Sequence, residues 1–382
     1  MKKVAILIET SRAYGRGLLR GISRFNHEHR SWTTYFQPQG LGDAPPPWLQ
    51  SWEGDGIIAR IENRKLAKEI IANGAPTINL RGSLRELEIP FIGSDNPKVA
   101  EVGAKHLLDR GYQHFGFCGF SREDLKGFHT RGQYFKRFIE DAGFTCDLFS
   151  KAKASRQTSS WERDQRQLAK WISSLPTPAG IMTANDDLGF LVLDACQRAN
   201  LSVPDQIGVL GVDNDEFLCD LSVPKLSSIQ INTEKTGYRA AQFLNTWMTT
   251  GIQPDPGDGV SPKGIVTRES TDVLATNDQE VIQAANFIRD NACKGIDVSD
   301  VVQHAGISRT SLENRFKKVL RHTMHEEIHK VRLERAKELL TETDLPIKWI
   351  AQESCFNSPQ YLTRMFKAAT NVTPAQFRQN RR

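Results

Sequence analysis

"VSDVVQHAGI" (298–307) aligns with "IKWIAQESCF" (347–356) at an offset of 49 residues, and "SLENRFKKVL" (311–320) aligns with "YLTRMFKAAT" (361–370) at an offset of 50. The carboxy-terminal part of the chain therefore carries one unit twice, with one extra turn residue in the second copy. Each copy has a short amphipathic stretch, a tight turn and a second segment whose apolar positions, Leu312, Phe316 and Leu320 or Leu362 and Phe366, recur every fourth residue. That spacing marks one face of a helix. The pattern predicts two helix-turn-helix units, in which the second helix offers polar side chains to a DNA major groove while its apolar face holds it to the first. The candidate reading residues are Arg309, Thr310, Glu313 and Lys317 in one copy, and Ser358, Gln360, Thr363 and Lys367 in the other.

The copies are joined by "MHEEIHKVRLERAKELL" (324–340), which contains His-Glu-x-x-His at 325–329. On a helix His325 and His329 share a face and could hold one zinc ion, with Glu326 activating its water. The repeat argues otherwise. Thr323 aligns with Thr373, each just before a helix, and Thr323-x-x-Glu326 is a capping box that already employs the glutamate. No compelling third ligand follows. No catalytic or metal-ligating residue is assigned, and His322, His325 and His329 read as a solvated helix face, with an incidental metal site as the alternative.

Residues 1–270 follow a different rule. Short aliphatic runs, "VAILI" (4–8), "GIIA" (56–59), "TINL" (77–80), "HFGFCGF" (114–120), "GIMTA" (180–184) and "IGVLGV" (207–212), alternate with segments of helical periodicity. Alternation of this kind predicts parallel sheets with helices on both faces, and the number of units suits two lobes. Such sheets bind ligands beyond the carboxyl ends of their strands. Polar residues crowd there: "ETSRAYGR" (9–16), Arg60, "SDN" (94–96), "NDD" (185–187) and "DND" (213–215). A rim of carboxylates, amides and guanidinium groups suits the hydroxyls of a small sugar. The same residue types also cap helices, so for Arg60, Asp95, Asn185, Asp186 and Asp213 both roles stay open. The Gly/Pro/Asp stretch "TTGIQPDPGDGVSPKG" (249–264) and a last strand-like "IVTRES" close this part, which places a linker at 271–278 and an all-helical domain at 279–382.

Bulk properties narrow the function. The 382 residues are 39% hydrophobic and 25% charged, ordinary for a folded protein of two or three domains. Net charge is +5, and from Thr276 onward 17 Lys and Arg face 13 Asp and Glu, a mild basic excess that fits a phosphate-bearing partner. Six scattered cysteines (118, 146, 196, 219, 293, 355) form no C-x-x-C pair and read as reduced thiols in a cytoplasmic protein. "VAILI" is too short for a signal peptide, and no run can span a bilayer, so no membrane partner is expected. A sugar-modifying enzyme would need a nucleophile or cofactor loop. There is no G-x-S-x-G, Walker motif or G-x-G-x-x-G after the first strand, "GRGLLRG" (15–21) is a weak stand-in, and no cofactor is expected. A secreted sugar carrier would have no use for the tail.

The tail resembles the AraC/XylS family over about 105 residues. "RLERAKELL" (332–340) fits its linker helix and "IKWIAQESCFNSPQYLTRMFKAATNVTPAQFR" (347–378) its second unit. Cys355 stands at the usual turn glycine, implying a slightly remodelled turn, and Asn371 stands where glycine is frequent. "FIGSDNPKVAEVGAKHLLDRGYQHFGFCG" and "GIMTANDDLGFLVLDACQRANLSVPDQIGVLGVDN" are similar to the LacI-type, periplasmic-binding-protein-like sensor. The combination, with "ETSRAYGR", resembles regulators of bacterial xylose operons. That resemblance implies a two-lobed sugar sensor over 1–270 and an AraC-type DNA-binding domain over 279–382. It also implies D-xylose or a related pentose as effector, with Arg16, Asp95, Arg131, Asp186 and Asp213 among its contacts. A homodimer on an operator, working as an activator with RNA polymerase, follows from the same resemblance.

Overall fold

The computed structural model describes the chain except residues 41–42, 81–88, 121–125, 152–160, 254, 256, 258, 273–275, 277, 321, 371 and 380–382, and the side chains of 120, 126–129, 150, 151 and 342. Much of the linker expected at 271–278, and Asn371, lie outside the described residues. The chain divides into two compact units, one of Met1–Leu108 with Tyr112–Ala275, the other of Thr276–Arg382 with the short Asp109–Gly111 segment.

The first unit runs β1 (Lys2–Leu7), α1 (Ala13–His29), β2 (Trp32–Phe36), β3 (Gly56–Ala59), α2 (Arg64–Asn73), β4 (Thr77–Asn79), α3 (Asn96–Asp109), β5 (His114–Phe120), α4 (Lys126–Asp141), β6 (Cys146–Lys151) and α5 (Trp161–Ser174), then β7 (Ala179–Thr183), α6 (Asp186–Arg198), β8 (Ile207–Val212), α7 (Glu216–Leu221), β9 (Ser227–Gln230), α8 (Thr233–Thr250) and β10 (Gly264–Val266). Its strands form two sheets, ordered β2-β1-β3-β4 and β10-β9-β8-β7-β5-β6. All pairings are parallel except β10 with β9. The unit is thus the expected two-lobed α/β fold, with an antiparallel edge that sequence alternation did not announce.

Each lobe has its own core. In the first, Val4, Ile6, Leu18, Ile22, Ile58 and Ile78 pack with Ala240, Ala241 and Leu244 of α8, which returns to the first lobe after β9. In the second, strand residues such as Phe117, Ile181, Val209 and Val212 are sheathed by Val99 and Leu107 of α3, Phe135 and Ile139 of α4 and Val192 of α6. Full burial on both faces is why these strands read as continuous aliphatic runs. Two glycines of "GRGLLRG" serve the α1–α8 contact, Gly17 against Thr233 and Gly21 against the Glu234 carbonyl oxygen, with Gly237 of α8 answering against that of Leu18, while Gly15 lies against Glu9. Close backbone approach, not phosphate binding, accounts for them.

The second unit is all helix: α9 (Gln279–Asn291), α10 (Val298–Ala305), α11 (Arg309–Leu320), α12 (Met324–Glu342), α13 (Ile347–Glu353), α14 (Pro359–Thr370) and α15 (Pro374–Gln379). Leu312, Phe316, Leu362 and Phe366 are fully buried, as their period requires. Among the described residues no helix is long and apolar enough to cross a membrane. Cys118, Cys146, Cys196 and Cys219 are buried free thiols, and burial pushes Cys146 and Cys196 up to about 12.

Candidate functional site: the interlobe cleft and the paired reading helices

The turn after β3 delivers Arg60 and the turn after β1 delivers Glu9, both buried. Their side chains form an ion pair, and Arg60 also meets Glu62 at 3.5 Å and lies 5.0 Å over the Tyr14 ring. Burial alone would lower the Arg60 pKa, but Glu9 and Glu62 hold it above the ordinary value. Tyr14, in the first turn of α1, packs against the cores of both lobes. Burial raises its hydroxyl, which hydrogen-bonds Ser94 and feels Arg60, Asp213 and Arg131.

From the second lobe, α4 contributes Arg131. Its Nε donates to Asn96 Oδ1 (3.0 Å) and its Nη1 to the Ala184 carbonyl (2.5 Å). Burial lowers its pKa, and the Asp213 charge opposes that shift. Asp213 follows β8 with φ +113°, and Asn214 with φ +53°, conformations that L-residues adopt at a cost. Bonds hold the turn there: Asp213 N donates to Ile229 O (3.0 Å), Asn214 N to Ser228 Oγ (3.0 Å), and Arg268 Nη2 to Asn214 Oδ1 (3.0 Å). Burial pushes the Asp213 carboxyl up to about 7, against the pull of Arg131 and Arg60. Arg60 and Arg131, from a strand end and a helix of the two lobes, thus both act on Asp213. Such a set can grip vicinal hydroxyls, with the guanidinium groups donating and the carboxylate accepting.

The other expected contacts take structural tasks. Arg16 is exposed on α1, its Nη1 donating to Thr10 O (2.9 Å), so it does not join the cluster. Asp95 Oδ1 accepts from Lys98 N (2.9 Å) and Asn185 Oδ1 from Leu188 N (3.2 Å), which makes both helix caps. Asp186 is buried beneath the strained turn, accepting from Ser228 Oγ (2.6 Å) and Asp215 N (2.7 Å). Burial, then the neighbouring Asp213, raise its pKa well above the usual range. Tyr14 and Asn96 belong to the site without having been singled out, although both lie in the post-strand turns where ligands were sought. Across the cleft, Arg12 pairs with Asp187 (3.1 Å) and Ala13 N donates to Asp215 Oδ2 (3.4 Å), two ties for which the sequence carried no signal.

In the second unit each reading helix begins at a serine. Ser308 Oγ accepts from Ser311 N (3.4 Å) and Ser358 Oγ from Tyr361 N (3.1 Å). Arg309, Thr310, Glu313 and Lys317 are exposed on α11, with Arg309 paired to Glu313 at 2.8 Å. On α14 Gln360 and Lys367 are exposed, while Ser358 is spent on its cap and Thr363 Oγ1 donates to Pro359 O (2.8 Å). Arg364, exposed and 5.0 Å over the Tyr361 ring, is a further cation on that helix. Arg315 faces inward, anchoring α11 to Asp278 (2.6 Å) and Glu280 (2.7 Å) at the start of α9. The turn before α14 is not remodelled by its cysteine: Cys355 adopts φ +53°, the conformation a glycine would take.

The His-Glu-x-x-His stretch is resolved by its bonds. Glu326 Oε2 accepts from Thr323 N (2.7 Å) and Thr323 Oγ1 from Glu326 N (3.2 Å), completing the capping box. Thr373 and Gln376 repeat it at α15. His322 is engaged with Glu327 at 2.6 Å, away from His325 and His329. Among the described residues no group of three His, Cys, Asp or Glu is arranged to hold a metal.

Comparison with known proteins follows the same division. Residues 3–97 match a XylR N-terminal domain, residues 104–271 a periplasmic-binding-protein-like domain, and residues 301–380 a helix-turn-helix domain. The chain is 30% identical to the xylose operon regulatory protein of Escherichia coli K12 over 98% of its own length and 96% of the relative's. The Haemophilus influenzae protein of that name is also 30% identical, over 99% and 98%. A solved xylose-binding transcription activator superposes with a TM-score of 0.64 at 28% identity, over 99% of this chain and 98% of that one.

Proposed function

Because the chain belongs to the family of xylose operon regulatory proteins, a family of sugar-responsive DNA-binding regulators, we propose that it activates pentose utilisation genes with D-xylose or a close aldopentose as effector. Residues 1–270 are the sensor and 279–382 the operator-binding domain. The sugar sits among Arg60, Arg131, Asp213 and Tyr14, with Asn96 orienting Arg131 and Asp186 supporting the Asp213 turn. One observation supports this most: guanidinium groups from both lobes share the field of one strained carboxylate in a chain that also exposes two reading helices. A ligand spanning that cluster binds the closed cleft better than the open one, and it shifts the equilibrium by that difference alone.

Closure would be transmitted to the operator-binding domains of a homodimer, which places four reading helices on successive major-groove faces and presents RNA polymerase with a fixed surface. The protein works in the cytoplasm and catalyses no reaction on the sugar. The deciding measurement is thermal denaturation in the presence of aldopentoses and aldohexoses, for the parent chain and Asp213→Ala. D-xylose at a hundredfold excess over its dissociation constant should stabilise the parent by about 2.7 kcal/mol. The variant should respond weakly or not at all. If no sugar raises the melting temperature, or the variant responds as the parent does, the proposal fails.

A further inference from the structure

His325 and His329 lie in the first two turns of α12 with their Nε2 atoms 3.2 Å apart and their rings at 71°. Two ligands at the usual zinc–imidazole bond length are separated by about 3.3 Å at a tetrahedral angle and about 2.9 Å at a right angle. The observed spacing falls between these values. The pair forms part of the wall of a cavity of about 680 Å³, whose other lining residues include Gln352, Asn357, Ser358 and Tyr361. Glu326 and His322 are committed elsewhere, to the helix cap and to Glu327.

We propose that His325 and His329 chelate one borderline divalent transition ion, such as Zn²⁺ or Ni²⁺, through their Nε2 atoms, with water from the cavity filling the remaining positions. At this distance one Nε2 donates its hydrogen to the other; when an ion takes both Nε2 lone pairs, that hydrogen moves to the Nδ1 of its own ring and no proton is lost overall. Glu326 cannot activate water while it caps the helix, so the ion is structural and not hydrolytic. The His329 Nδ1 atom is buried without a hydrogen-bond partner. Tight sites give that nitrogen an acceptor, so this one should bind about 10–100-fold more weakly than a site with that support.

The test is calorimetric titration of metal-free, full-length protein with Zn²⁺ and Ni²⁺. One equivalent should bind to the parent and to His322→Gln, and affinity should fall at least about tenfold in His325→Gln and in His329→Gln. Electron paramagnetic resonance of the Cu²⁺-loaded parent, which needs no variant to fold, should show two coordinated imidazole nitrogens. Absence of binding in the parent, undiminished binding in both variants, or a signal with a single imidazole would overturn the proposal.

Discussion

Asp213 concentrates the chemistry of the cleft in one side chain. Its φ of +113° costs on the order of 1–3 kcal/mol, and the bonds from Asp213 N, Asn214 N and Arg268 repay enough to hold it. Its carboxyl, pushed up to about 7 from an ordinary 3.8, keeps its proton in the folded chain over a range where the unfolded chain has released it. The native state therefore binds the extra proton. For this group stability is greatest at low pH, declines as pH rises from about 4 to about 7, and is flat above. Asp213→Asn removes the titration. Its melting temperature should fall less than the parent's between pH 4.5 and 8, with a residual slope from Asp186, whose pKa is also raised. Parallel profiles for the two proteins would show that Asp213 is not the group responsible.

At the scale of elements, the repeat was legible because an exposed-and-buried helix must show its period, and because the helix after each reading helix opens on the same kind of cap, Thr323-Glu326 or Thr373-Gln376. The edge strand β2 was not legible: four of its five residues are exposed, so no aliphatic run marks it. Strand ends pointed to Arg60 and Asp213, which the fold buries together, and equally to Asp95 and Asn185, which cap helices, because capping and sugar binding call for the same residue types at the same turns. Arg16 against Tyr14 was undecidable for another reason. Two positions on a helix point in widely different directions, and which one enters the cleft depends on how α1 sits against both lobes.

The turn before α14 shows the reverse case, in which a departure from pattern left the backbone unchanged. A cysteine at φ +53° carries a left-handed penalty of about 1–2 kcal/mol that glycine escapes, though glycine gives back about 0.5–1 kcal/mol in chain entropy. Cys355→Gly should therefore be neutral or stabilising by up to about 1.5 kcal/mol, and Cys355→Val, branched at Cβ, should destabilise by more than about 1 kcal/mol. Chemical denaturation of the full chain, followed by signals from the helical unit, gives both values. A stabilising valine would contradict the assigned backbone.

For the whole molecule, function requires that two weak readers act as one. Each reading helix exposes few cations, Lys317, Lys318 and the Glu313-paired Arg309 on α11, and Arg364 and Lys367 on α14. With so few cations on each, we expect affinity to come from both units, joined through α12 and engaged together. Each neutralised phosphate releases counterions, which makes log affinity fall with log salt by about 0.9 per contact. Operator duplexes recovered by selection should therefore bind the sugar-loaded protein with a steep salt slope. Lys317→Gln and Lys367→Gln should each lower that slope by about 1 if they contact phosphate, with little change in which duplexes are preferred. Phe366→Ala, which opens a cavity under α14 costing about 3–5 kcal/mol, should lose far more than either lysine variant. The loss of one unit should remove the contacts of that unit as a block, reducing slope and affinity together. Filter binding across a range of salt concentrations measures all four proteins, and a slope unaffected by Phe366→Ala would mean that only the first unit meets the DNA.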